Sequence, residues 1–156
     1  MRHDEVAPGL RELAFYFFYW FSRFEFALKE NRYLISTAVG ARAEPDWNRF
    51  VVEHQDHYAP SHAARALIAA NPLRQVIGED GGLAFSEVQF ASDTTELRRV
   101  VGLAKTVRNN LFHGGKHGSG DWDDPDRMTE LLTVTTTVLA DLARLGGLEA
   151  DYIRLY

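Results

Sequence analysis

Seven apolar residues near the start of this 156-residue chain recur at helical spacing: Leu10, Leu13, Ala14, Phe17, Phe21, Phe24 and Leu28. That period of three and four excludes a strand and predicts a long helix from about Pro8 to Tyr33. Phe15, Tyr19 and Phe26 fall on nearly the opposite side. A helix with two apolar sides is either central to a bundle or shared with a partner chain, and an exposed second face of aromatics would be an interaction site.

The rest of the chain repeats the pattern between breaks. Pro45 marks the start of a second helix, with Trp47, Phe50, Val51, His54 and Tyr58 as its stripe and Pro60 as its end. A short helix is expected from Ala63 to Ala70, stopping before Asn71-Pro72. Residues 71–92 are less regular; Gly81-Gly82 marks a turn, and Leu83, Phe85, Val88 and Phe90 suit a short extended piece. Irregular stretches of this length in a small domain are often functional. Asp93-Thr-Thr-Glu96 has the form of a capping box opening a helix that carries Leu97, Val100, Val101, Ala104, Val107 and Leu111 and stops at Gly114-Gly115. A loop rich in glycine and aspartate follows. Asp124-Pro125 opens the last helix, with Leu131, Leu132, Val138, Leu139, Leu142 and Leu145 inward and Gly146-Gly147 at its end. The tail from Tyr152 to Tyr156 is apolar enough to dock. The expected fold is all-α, an up-and-down bundle of four to five helices in one domain over residues 1–156.

Several function classes are excluded early. With no cysteine there is no disulfide, thiolate metal site or cysteine nucleophile, which suits a reducing cytoplasm. The longest apolar run, Leu13 to Phe21, is far short of the roughly 18 residues a membrane span needs. The first ten residues carry charges where a signal peptide needs an apolar core. No membrane contact is therefore expected. His54, Asp56, His57 and His62 would form a metal site only if they converged, and His54 reads better as a core histidine. Asp121, Asp123, Asp124 and Asp126 lack the spacing of a calcium loop. No cofactor or metal is expected.

The net charge of −5 argues against a protein that coats nucleic acid over its whole surface. Its distribution says more. Arg98, Arg99, Lys105, Arg108 and Lys116 lie in a stretch free of acids, leaving twelve basic residues against twenty-two acids elsewhere, a balance of −10. This stretch is either a local phosphate-facing patch or an ordinary cationic helix face.

Within it stands Val107-Arg-Asn-Asn-Leu-Phe-His-Gly-Gly-Lys116. Arg108 continues the row of Leu97, Val101 and Ala104, so its guanidinium needs a partner or a phosphate. Arg108 and His113 differ by about 140° on an ideal helix, but the glycines after His113 free it to turn toward the loop. A histidine can exchange a proton near neutral pH, and an arginine can hold a phosphate by two points and stabilise the charge that builds on it. Asn109, one turn before His113, could orient the imidazole or the substrate. Lys105, Lys116 and His117 are the neighbouring candidates for substrate contact. Glu25, at the edge of the first helix's stripe, is a candidate partner that would preset Arg108; Lys29 or solvent is the alternative.

Arg108-Asn-Asn-Leu-Phe-His113 resembles the R-x4-6-H signature of the HEPN superfamily, including the polar residue after the arginine. The Gly-Gly-Lys that follows is similar to its stand-alone and Apea-like branches, and Phe21-Ser-Arg-Phe-Glu-Phe-Ala-Leu-Lys29 resembles their first helix. The resemblance implies a metal-independent endoribonuclease that pairs as a homodimer, so that both Arg–His sets line one cleft. The ribose 2′-hydroxyl then attacks the adjacent phosphorus, leaving a 2′,3′-cyclic phosphate and a 5′-hydroxyl. Toxin or antiviral-defence roles, with an antitoxin or defence-system partner, are implied as well. Members paired with a nucleotidyltransferase antitoxin commonly carry a tyrosine two residues after the histidine, where this chain has Gly115. The alternative reading is a noncatalytic module of the same type that binds RNA, a nucleotide or a protein.

Overall fold

The computed structural model describes residues 7–113 and 124–154, and His113 by its backbone alone. Among the described residues the chain folds into six α-helices and one small hairpin: α1 (Pro8–Glu30), α2 (Trp47–His54), α3 (His62–Ala70), β1 (Arg74–Ile77), β2 (Leu83–Ser86), α4 (Glu96–His113), α5 (Pro125–Leu145) and α6 (Glu149–Ile153). One turn of 3-10 helix, Gln55–His57, extends α2. The fold is mostly helical, as the periodicity predicts, but it has a sixth helix and a hairpin where a bundle of four to five helices was expected.

The helix boundaries follow from local chemistry. Asp46 caps α2 by accepting from the Arg49 amide at 3.0 Å, Ser61 caps α3 by accepting from Ala64, and Asp124 accepts from Asp126 and Arg127 at the start of α5. Three expectations shift. First, α1 ends at Glu30 and not at Tyr33, because Arg32 takes a left-handed φ of 63° and the Tyr33 amide turns back to the Leu28 carbonyl at 2.9 Å. Second, α4 is opened by Thr95, whose hydroxyl accepts from the Arg98 amide at 3.4 Å, and Asp93 stays exposed outside the helix. Third, β2 finds an antiparallel partner in Arg74–Ile77, paired Arg74 with Ser86 and Ile77 with Leu83. Gly81, at φ 78°, makes the turn. Val88 and Phe90 lie beyond β2 and pack on the core from irregular chain.

The core lies where the long helices meet. Helix α1 packs on α5 and α6, α3 on α4 and α5, and α2 on α4. Phe17, Phe24, Phe50, Leu67, Leu97, Leu132 and Leu139 are fully buried there. Tyr152 docks α6, its ring 4.8 Å from that of Trp20, while Ile153 stays exposed; Leu155 and Tyr156 of the expected apolar tail lie outside the described residues. Two arginines close helix ends: Arg23 donates to the carbonyls of Asp151, Tyr152 and Arg154, and Arg127 to that of Ala70. No helix among the described residues is long and apolar enough to cross a membrane.

Candidate active site

Helix α4 positions the motif. Leu97, Val101 and Ala104 are buried, so the row that Arg108 extends is a core row, and Arg108 emerges half-buried at its edge. Its guanidinium carbon sits 5.7 Å from the ring centre of Phe21 and 5.4 Å from that of Phe112. One nitrogen, Nη1, donates to Asn109 Oδ1 at 3.0 Å. Two ring faces and one amide contact restrict the side chain without supplying a counter-charge. No carboxylate among the described residues pairs with it, and four of its five N–H donors are not used by that contact.

Glu25 does not fill the expected role. Its Oε1 accepts from the Trp47 indole at 3.3 Å, a contact that ties α1 to α2, and it makes no ion pair with Arg108. The reason is the approach of α2: Trp47 stacks on Phe21 and Phe24 and brings its N–H to the carboxylate. The expected cationic stretch also divides. Arg98 donates to Asn48 Oδ1, and Arg99 lies against the Phe90 ring, so both serve packing. Lys105 and Asn109 are exposed on α4, beside Arg108. His113 occupies the last residue of α4, one turn after Asn109. Lys116, His117, the Gly114-Gly115 break and Asp121 and Asp123 lie outside the described residues.

Two residues that the spacing argument passed over complete this region. Asn110 is buried and donates through Nδ2 to the Leu73 carbonyl at 2.6 Å, tying α4 to the chain entering β1. A signal was present: Asn110 follows the buried Leu103 by one heptad, which puts an amide on an inward-facing row. Gln75, on β1, holds its amide nitrogen buried with no hydrogen-bond partner among the described residues. A buried donor left unmet costs about 1–3 kcal/mol. Arg74, Gln75, Thr106, Asn109 and Asn110 together line an open cleft of about 390 Å³ between the hairpin and α4.

Elsewhere, an apolar groove of about 400 Å³ runs between α1, α5 and α6, lined by Tyr16, Trp20, Thr136 and Tyr152 among others, away from the motif. His54 is half-buried, bonds the Tyr33 hydroxyl at 3.0 Å and packs on Phe50, and burial pushes its imidazole pKa below the ordinary value. No cluster of three or more His, Asp or Glu that would hold a metal ion occurs among the described residues. The exposed Phe18 ring sits 5.3 Å from that of Phe112, which in turn lies against Arg108, whereas the exposed Phe15 and Tyr16 line a shallow hollow of α1 with Trp20. Compared with family models, curated proteins and solved structures, the chain matches none.

Proposed function

We propose that this chain is a metal-independent endoribonuclease of HEPN type, with Arg108 and His113 as its catalytic residues. The observation that carries the reading is the setting of Arg108. It lies against two aromatic rings and is bonded to Asn109, with no carboxylate among the described residues on it and His113 five residues on at the helix end. Such a guanidinium can take a phosphate by two points. In the reaction the 2′-oxygen bonds to phosphorus as its proton leaves, the bond to the 5′-oxygen breaks, and that oxygen gains a proton. His113 moves the protons, and Arg108 stabilises the charge on the phosphorane. Lys105 and Asn109 steady the RNA strand, joined by Lys116 and His117. A toxin or defence role in the cytoplasm, held by an antitoxin or defence partner, suits such an activity.

The exposed Phe18 and Phe112, whose rings lie 5.3 Å apart next to Arg108, support a two-fold homodimer. A self-complementary patch beside Arg108 would bring both motifs to one cleft when a second copy covers it. The experiment is RNA cleavage in chelator by the wild type, Arg108→Ala, Arg108→Lys and His113→Ala. Each alanine variant should lose about 10²–10³ or more in rate while keeping its fold. Lysine should not restore it, since an ammonium lacks the planar fork. Products should end in a cyclic phosphate, and an all-deoxy strand should resist. Cleavage of that strand at an undiminished rate would refute the mechanism. No turnover, with RNA affinity that depends on Arg108, would favour a noncatalytic RNA-binding module.

A further inference from the structure

Among the described residues, the side chains that line the cleft between the hairpin and α4 are all polar. Its hydrogen-bonding groups are partly committed. Asn110 Nδ2 donates to Leu73, Asn109 Oδ1 accepts from Arg108, and the Thr106 hydroxyl donates to the Gly102 carbonyl at 3.0 Å. These bonds leave the Gln75 amide, the carbonyl oxygen of Asn110, the amino group of Asn109 and the guanidinium of Arg74. That remainder mixes donors and acceptors. A plain anion would meet amide oxygens as well as donors, and an apolar ligand would strand all of them. A flat, neutral group with donors and acceptors along one edge satisfies the set, and a nucleobase is such a group.

Asn109 ties the cleft to the phosphate site, since its oxygen holds Arg108 while its side chain lines the cleft. We infer that this cleft is a base-recognition subsite, which takes one unpaired base of the RNA, adenine by preference, beside the phosphate held at Arg108. The inference rests on the reading that Arg108 faces RNA. Side-chain amides are the two-point partners of adenine's amino and ring nitrogens, and single-stranded RNA exposes those edges. Gln75 is the specificity residue: it lines the cleft, and its enclosed amide nitrogen, with no partner among the described residues, gains one when the side chain turns toward the base. The exposed Arg74 lies at the cleft where a guanidinium plane can stack on the base.

The test uses binding, so it stands apart from cleavage. Short 2′-O-methyl oligonucleotides of adenine or of uracil cannot be cleaved through the 2′-oxygen, and their affinities are read by fluorescence anisotropy. The wild type should favour the adenine strand by about fivefold or more, and both Gln75→Leu and Gln75→Glu should shrink that ratio to about twofold or less. In parallel, the side-chain amide resonance of Gln75 in the wild type should shift on titration with adenosine 5′-monophosphate, a readout that needs no variant to fold. A wild-type ratio within about twofold, a ratio preserved in both variants, or an unmoved Gln75 resonance would overturn the subsite. Base preference with no cleavage of ordinary RNA would keep the subsite and refute the ribonuclease. Failure to bind any strand would refute both.

Discussion

Replacing Asn110 with leucine tests whether the hairpin is tied to the motif helix by one hydrogen bond. Asn110 is only 4% exposed, and its amide meets the half-buried Leu73 carbonyl at 2.6 Å. Leucine keeps the branched outline of the side chain with bulkier ends, and it removes the donor. An acceptor left unmet away from water costs about 1–3 kcal/mol. For a domain of this size, 1 kcal/mol moves Tm by about 2–4 °C, which predicts a fall of about 2–12 °C. The loss should also be local. The register from Arg74 to Ile77 begins one residue after Leu73, so amide hydrogen exchange in β1 and β2 should accelerate more than in α5. Circular dichroism melts and exchange by mass spectrometry measure the two effects. A Tm within about one degree of wild type, with unchanged exchange in the hairpin, would refute the tether.

Two further outcomes follow from packing and charge. A Cβ on Gly146 would lie 2.6 Å from Phe50 Cε2 and 3.1 Å from Leu148 Cγ, so Gly146→Ala should lose about 1–3 kcal/mol in urea unfolding with an unchanged m-value, whereas Gly9→Ala meets nothing and should not destabilise. His54 is held below its free pKa of 6.5 first by burial and further by the charge of His57, with Glu53 opposing. Its contribution is therefore complete above that value and is lost as pH falls through it, because the unfolded chain binds the proton more readily. His54→Gln should flatten the acid side of a stability-against-pH curve, and an unaltered slope would count against a buried neutral imidazole.

The helices were legible because one-sided burial leaves a period. Leu97, Val101 and Ala104 announce the face that Arg108 extends, and Asp124 was legible as a helix start, whereas the caps Asp46, Ser61 and Thr95 were not. The hairpin was half legible. Leu83 and Phe85 suggested an extended piece, but Arg74–Ile77 has no clean alternation, and pairing depends on a register that only the folded chain supplies. Glu25 illustrates the limit of face arguments: its position on α1 was read correctly, but three elements compete for that carboxylate and Trp47 of α2 reaches it. The polar cleft was invisible for the same reason, since it joins residues more than thirty positions apart.

The packing of α1 on α5 and α6 has a consequence for synthesis. Roughly 100 residues separate the end of α1 from the start of α5, so at about 5–20 residues per second the first helix waits on the order of 5–20 s for its main neighbour. During that interval α2 can already cover Phe21 and Phe24, but the side of α1 that α5 and α6 will bury lacks a home, and the nascent chain offers a sticky segment to whatever is near. The bundle around Arg108 closes only after α5 has been made, so the order of translation itself delays the moment at which the motif is assembled.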